Sequence, residues 1–285
     1  MTVHAIGDAY PTRREVGTLV VLGDSTSVGL GDPLPGGGWR GFGPLLAEAL
    51  GAELANLSFT GARICTMRSD QLPQAVLLRP DAVVVVAGMN DTMRADFDPA
   101  RLRRDLDHVV GELQAAGAVV VLARYHDHAR VFRLPGPIRR ALRRRITDLN
   151  AVVDRVIRDR GAACLDLDAL PGAYEVSAWS VDRLHPSELG HRLLARGFAE
   201  QLALHGVLVP GEVSTQCSGG RKITMLHHVL WLVFKGIPWL WRRGTDLVPY
   251  VAGVLLRSVT GAAERPVVAA TTTVVEPEEP IGQLG

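Results

Sequence analysis

Cysteine is scarce. Only Cys65, Cys164 and Cys217 occur in 285 residues, scattered and without a CxxC pair. That excludes a disulfide scaffold and a four-cysteine zinc site, and it fits a reducing compartment. Charge of one sign is lacking as well. Lys plus Arg total 31 and Asp plus Glu 30, a formal net charge of +1, without the basic excess that a general nucleic-acid surface requires. No nucleic-acid partner is expected. Long apolar runs are missing too. Met1 to Gly17 contains no signal-peptide core. The most apolar stretch near the C-terminus, Ile223 to Phe234, is 12 residues long and includes His227 and His228. A spanning helix needs about 18 apolar residues, so no transmembrane segment is expected. What remains is the make-up of a globular protein, 47% hydrophobic and 21% charged, long enough to bury a sizeable core.

Residues 19–206 alternate strand and helix signals. Leu19 to Leu22 is a short apolar run ending at a glycine, and Asp81 to Gly88 holds four consecutive valines, Val83 to Val86. Such β-branched runs mark strands covered on both faces. Ala118 to Tyr125 and Ala163 to Leu170 read the same way, and Ala52 to Phe59 is a weaker fifth strand. Between them lie helical patterns. Asp98-Pro99 is a cap followed by a first-turn proline, Leu102, Leu106, Val109, Val110 and Leu113 share a face, and Gly117 stops the run. A second helix is marked by Ile138, Leu142, Ile146, Leu149, Val153 and Val156 up to Gly161, and a third by Ser187 followed by Leu189, Leu193, Leu194, Phe198 and Leu202. Strands separated by helices predict an α/β fold with a doubly wound parallel sheet, whose ligands bind at the carboxyl ends of the strands.

Chemistry-bearing residues fall at those ends. Gly23-Asp24-Ser25-Thr26 follows the first strand, Gly61 the second, and Gly88-Met89-Asn90-Asp91 the valine-rich one. Asp182-Arg183-Leu184-His185 precedes the last helix. A carboxylate three residues before a histidine can fold back onto one ring nitrogen and leave the other as a general base. A serine needs such a base, because its hydroxyl is a poor nucleophile at neutral pH. The Gly61 N–H and the Asn90 amide are candidate donors to a developing oxyanion. Each residue also has a plain reading as a turn former or cap; the common position at strand ends is what joins them. No G-x-S-x-G elbow occurs.

These four segments, in this order, resemble the blocks of the SGNH hydrolases, also called GDSL esterases and lipases. Gly23-Asp24-Ser25-Thr26 is similar to the first block, with Thr where Leu is usual; Asn56 to Gly61 to the second; Gly88 to Asp91 to the third; and Asp182 to Pro186 to the last. The resemblance covers residues 17–206. It implies a three-layer α/β/α sandwich with a five-stranded parallel sheet (flavodoxin-like). It implies Ser25 as nucleophile, His185 as base and Asp182 as orienting carboxylate, with the Ser25 and Gly61 N–H groups and the Asn90 side chain as oxyanion hole. The reaction implied is hydrolysis of a carboxylic ester, small-molecule or lipid, without metal or cofactor. Gly38-Trp39 and Trp179-Ser180 resemble a non-secreted branch that carries a C-terminal Trp- and Arg-containing tail.

Two alternatives stand beside it. Asp24, Asn90, Asp91, His126-Asp127-His128 and His185 supply the ligand types of a metal-dependent phosphoesterase; the plain reading of His126 to His128, with Arg130 and Arg133 nearby, is a solvated loop. A membrane-associated acyltransferase is the other. Beyond the domain the sequence divides into an N-terminal segment 1–16, a linker 207–222, a hydrophobic and basic extension 223–263, and a tail 264–285 whose composition is that of disorder. Trp231, Trp239 and Trp241 lie among six Lys/Arg and one Asp between Arg221 and Arg257. Peripheral membrane contact through 223–257 is one reading; packing back onto the domain is the other, favoured by Pro238 and Pro249. A cytoplasmic location, with or without membrane association, follows. Arg139, Arg140, Arg143, Arg144 and Arg145 read as the solvated face of their helix, His191 as a surface residue of the last helix, and His108 as a structural one.

Overall fold

The computed structural model describes residues 13–131 and 136–218. The N-terminal segment up to residue 12, and the extension and tail beyond residue 218, lie outside the described residues. Five strands, β1 (Thr18–Gly23), β2 (Glu53–Asn56), β3 (Ala82–Val86), β4 (Val119–Arg124) and β5 (Ala163–Asp166), form one parallel sheet in the order β2-β1-β3-β4-β5. Eight helices accompany it in the described residues: α1 (Ser25–Val28), α2 (Phe42–Leu50), α3 (Ile64–Thr66), α4 (Leu72–Leu77), α5 (Met89–Thr92), α6 (Pro99–Ala115), α7 (Gly136–Arg160) and α8 (Glu188–Leu204). A single π-helical turn, Met67–Gln71, joins α3 to α4. Helices α2 and α8 pack together on one face and α6 and α7 on the other, which makes the three-layer sandwich.

The strand residues explain the layers. Every residue of β3 is buried, as are Leu19 to Gly23 of β1, because β-branched and aliphatic side chains are covered by helices on both sides. Phe42 and Phe198 meet between α2 and α8 with ring centroids 5.1 Å apart. Asp98 caps α6 by accepting from the Ala100 N–H, and Ser187 caps α8 by accepting from Gly190 N–H. The chain leaves β1 toward β2 on one side and returns to β3 on the other. The C-terminal ends of β1 and β3 therefore flank the crevice at the topological switch point.

Several details differ from the sequence expectations. The edge strand β2 is only four residues long, and β5 ends at Asp166, whose carboxylate accepts the Asp168 N–H and turns the chain. His191 is not on the surface. It is fully buried, 6.4 Å from the Phe42 ring, with Nε2 3.0 Å from the Leu30 carbonyl oxygen. His108 is exposed, since the buried stripe of α6 passes through Val109 and Val110 beside it. Of the arginine cluster, Arg139, Arg140, Arg143 and Arg144 are exposed, whereas Arg145 is half-buried and donates to the Thr92 and Arg94 carbonyls.

Residues 207–218 lie against the domain. Leu208 N–H donates to Arg14, Gly211 N–H to Ala49, and Arg192 to the Ser214 carbonyl. Ser218 bonds Glu188 through both its N–H and its hydroxyl, and Arg40 and Arg192 hold the same carboxylate. No helix among the described residues is long and apolar enough to cross a membrane.

Gly23 is the tightest backbone position near the crevice. Its φ is +153°, and a Cβ there would lie 2.3 Å from both the Val86 carbonyl oxygen and Ser27 Oγ. Gly23→Ala is expected to cost on the order of 3 kcal/mol of stability, read by urea unfolding. A loss under about 0.5 kcal/mol would contradict the packing described.

Candidate active site

At Gly23, the last residue of β1, one side chain bonds both backbone polar groups, and the carbonyl also accepts the Phe59 N–H. Buried Gln71 accepts the Gly23 N–H at 2.9 Å and donates to the Gly23 carbonyl at 2.8 Å. The chain then turns into α1. Asp24 caps it by accepting the Thr26 N–H, and Ser25 occupies the first helical position. The half-buried Ser25 hydroxyl thus stands at the carboxyl edge of the sheet.

The partner loop is held from several directions. Trp179 and Pro186 form an isolated bridge, and Ser180 N–H donates to the His185 carbonyl. Arg183 takes a left-handed φ of +54°, which closes the turn. One oxygen of Asp182 accepts from Ser180 Oγ, Leu184 N and His185 N at 2.7–2.9 Å. Its other oxygen lies 2.6 Å from His185 Nδ1, and His185 Nε2 lies 2.8 Å from Ser25 Oγ. Burial works to raise the Asp182 carboxyl, but the hydrogen bonds from His185 and Ser180 and the charge of His185 win and hold it at about 2. Asp182 is therefore a carboxylate, which assigns the proton to Nδ1 and leaves Nε2 to accept from the serine.

The other expected residues are placed nearby. Asn90, in α5 at the end of β3, donates its side-chain amide to Asp24 Oδ2 at 3.2 Å and to the Ala62 carbonyl at 3.0 Å. Gly61 follows β2 with φ +84°; it makes no contact with the serine or histidine among the hydrogen bonds described, but its neighbour Ala62 is the residue Asn90 holds. Neither the Ser25 nor the Gly61 N–H donates to another group among the described residues. Asp91 is fully buried and accepts from the Ile64 N–H and from Arg63 Nε. Cys65 in α3 is a half-buried thiol.

Asp24 contrasts with Asp182. It is buried, and burial outweighs the Thr26 N–H and the charge of His185, so its carboxyl rises from 3.8 to about 6. His126 and His128 are a correction. They are buried rather than solvated, with His126 Nε2 2.8 Å from His128 Nδ1. Trp179 covers both rings at centroid distances of 5.0 Å, and Tyr174 meets the His126 ring edge-on. Burial lowers His126 to about 4 and His128 to about 3, so both are neutral near pH 7. The Arg183 backbone of the Asp182–His185 turn is an electrostatic neighbour of His128. No group of three His, Cys, Asp or Glu among the described residues is placed to hold a metal ion. Gln71 is the residue of the site that motif reading misses; the two histidines are singled out by it, but as a solvated loop or as metal ligands.

A hydroxyl, an imidazole and a carboxylate in one hydrogen-bonded line at the edge of a parallel sheet can activate the hydroxyl for acyl transfer. That arrangement belongs to the class of serine hydrolases. Residues 21–193, more than half of the chain, match the model of the GDSL-like lipase/acylhydrolase family; the chain belongs to that family and is a carboxylic ester hydrolase. No curated protein matches the sequence. Among solved structures, LAE5, an alpha/beta hydrolase from the metagenome of Lake Arreo, Spain, is 21% identical with a TM-score of 0.55, over 68% of this chain and 98% of that one. Axe2, an acetylxylan esterase from Geobacillus stearothermophilus, is 21% identical with a TM-score of 0.54, over 69% and 99%. TesA is 24% identical with a TM-score of 0.52, over 65% and 97%. At these identities the likeness is one of fold.

The raised Asp24 carboxyl has a definite sign. The folded state holds this proton more tightly than the unfolded chain, so the contribution is present below pH 3.8 and lost as pH rises through about 6. Comparing Asp24→Asn with wild type, the variant is expected to gain ~3 kcal/mol of relative stability between pH 3.5 and 7.5. Chemical denaturation at both pH values measures it, and a flat difference would refute the buried-carboxylate account.

Proposed function

We propose that Ser25 is the nucleophile, His185 the general base and acid, and Asp182 the group that orients and stabilises the imidazole. The observation that carries this is the continuous line Ser25 Oγ, His185 Nε2, His185 Nδ1, Asp182 Oδ2. In this reading Oγ attacks the acyl carbonyl while Nε2 takes its proton. The tetrahedral intermediate collapses as the alcohol leaves with that proton. Water then attacks the acyl-enzyme by the same route and frees the acid. The Ser25 and Gly61 N–H groups and the Asn90 amide stabilise the oxyanion. The longer of the two Asn90 bonds, to Asp24 at 3.2 Å, is the one an oxyanion would compete with. Each such donor is worth ~3 kcal/mol of transition-state stabilisation.

The carboxylates follow from their surroundings. Asp182 is ionised and pinned by three hydrogen bonds besides that of the ring, so it keeps the tautomer without taking the proton. The Arg183 turn and the Ser180–His185 backbone bond hold the loop, which keeps the ring within reach of Ser25. With an alcohol in place of water the same acyl-enzyme would yield an acyltransferase; product analysis in the presence of glycerol separates the two outcomes.

A fluorophosphonate probe is expected to label Ser25 in wild type and at least ~100-fold more slowly in His185→Ala. Ser25→Ala is expected to lower kcat for a short ester by ~10³-fold or more, and Asp182→Asn by a comparable factor. Full activity in Ser25→Ala, or labelling indifferent to His185, would overturn the assignment.

A further inference from the structure

Ser25 and His185 reach the crevice on different loops. On the serine side, the Leu30 N–H donates to the Ser25 carbonyl and the Asp32 N–H to the Gly29 carbonyl, both at 3.1 Å. The chain from the serine to Asp32 is thus one continuous turn, and the Arg40 N–H closes it by donating to the Asp32 carbonyl. On the histidine side, Glu188 opens α8 three residues after His185. Bonds inside a loop do not fix how far it stands from its neighbour. Two described hydrogen bonds join α8 to the loop after the serine: His191 Nε2 to the Leu30 carbonyl at 3.0 Å, and Arg40 to Glu188 at 2.8 Å. Between them the backbones touch, since a Cβ on Gly31 would lie 2.0 Å from the Pro186 carbonyl oxygen.

The Arg40 bond belongs to a largely buried ion cluster. Asp32, 3% exposed, accepts from Arg40 Nε at 2.9 Å and from Nη2 at 3.1 Å. The same Nη2 donates to Glu188 Oε1. Arg192 binds that oxygen from one turn along α8, and Ser218 binds it through its N–H and its hydroxyl. Two carboxylates and two guanidiniums balance in charge, as buried ions must. Burial works to raise the Glu188 carboxyl, but the bonds from Ser218, Arg40 and Arg192 hold it at about 2. An acid in the first turn of a helix also has a plain reading, since it suits the helix dipole, and Arg192 alone satisfies that reading. Arg40 does something else. Its fork grips its own loop and reaches across to α8, which gives Ser25 and His185 a second connection beside their direct bond of 2.8 Å.

We propose that Arg40 is a positioning residue for the Ser25–His185 pair: its fork clamps the loop that follows the serine to the helix that follows the histidine, and so sets the spacing of Oγ and Nε2 before a substrate arrives. The inference rests on the assignment of Ser25 as nucleophile. The described side-chain bonds of Arg40 go to Asp32, Glu188 and Ser218, and none goes to the serine or the histidine. An error near 1 Å in such a spacing costs about 10²-fold in rate. Ser218 lies beyond the family match, which ends at residue 193, so the clamp draws on chain outside the matched segment.

The test uses the full chain, p-nitrophenyl acetate as substrate and a fluorophosphonate probe. Arg40→Met is expected to lower kcat about 30-fold with KM within about threefold of wild type, and to slow labelling of Ser25 by a similar factor. Arg40→Lys keeps the charge without the fork and is expected to lose about fivefold in kcat. Arg192→Met takes the other guanidinium from the same cluster without touching the serine's loop. It is expected to lower the urea midpoint as Arg40→Met does, yet to leave kcat within about threefold of wild type. A merely structural role would move the two arginines alike. With wild type labelled at Ser25, equal kcat losses in Arg40→Met and Arg192→Met, a loss confined to KM, or kcat in Arg40→Met within about threefold of wild type would overturn the positioning role alone. Where Arg40→Met does not fold, Arg40→Lys carries the comparison, and full activity in it overturns the role. Absence of labelling in folded wild type would overturn the nucleophile assignment and the positioning role with it.

Discussion

The two hydrogen bonds between Gln71 and the Gly23 backbone hold the end of β1, and the rest of the site is arranged around that end. In a parallel sheet the last peptide of a central strand has neighbours on both sides, so its polar groups must be satisfied within the protein. A side-chain amide can serve donor and acceptor at once, and here it does so from a π-helical turn. The extra residue of such a turn shifts the helix face and leaves Gln71 aimed inward at 1% exposure. With the strand closed off, Asp24 is free to cap α1, and Ser25 comes to rest on the crevice rather than in the ladder. A glycine is needed at 23 because the Val86 carbonyl and Ser27 occupy the space a Cβ would take.

Two aspartates within the same small volume are driven in opposite directions. Asp182 is met by three donors on one oxygen and an imidazole on the other, and its charge is stabilised. Asp24 has a backbone N–H and the Asn90 amide, and burial dominates. The carboxylate that serves the imidazole is thus ionised at any working pH. The one that accepts from the Asn90 amide is balanced closer to neutrality. His126 and His128, neutral through burial, add shape beneath the loop without adding charge that would compete with His185.

The parts of this arrangement that could be seen in the sequence are those encoded by local periodicity or fixed spacing. β1 and β3 are runs of buried aliphatics, α6 carries its cap and its stop, and the three-residue interval from Asp182 to His185 is itself the geometry of a turn. Long-range effects were hidden. Helix α2 starts at Gly41 with no side-chain cap, and the π turn between α3 and α4 breaks the 3.6-residue period, so neither left a pattern. Gln71 belongs to no motif. His126-Asp127-His128 looks solvated because its cover, Tyr174 and Trp179, comes some fifty residues later. His191 lies four residues before Ala195 and seven before Phe198, on the buried stripe of α8; its polar identity concealed its position. His108 shows the converse, since adjacency to Val109 along a helix is not a shared face.

The bond between His185 and Ser25 spans 160 residues of chain, with β2 through β5 formed in between. Loop closure over that distance is worthwhile only when the sheet has brought both strand ends to one edge. As the chain is synthesised, the serine emerges early with its cap and its glycine, while the histidine arrives just before the final helix. A nascent or truncated chain lacking the last third of the domain therefore has an ordinary alcohol at position 25. The pairing that sets this serine apart comes into being only with the completed fold.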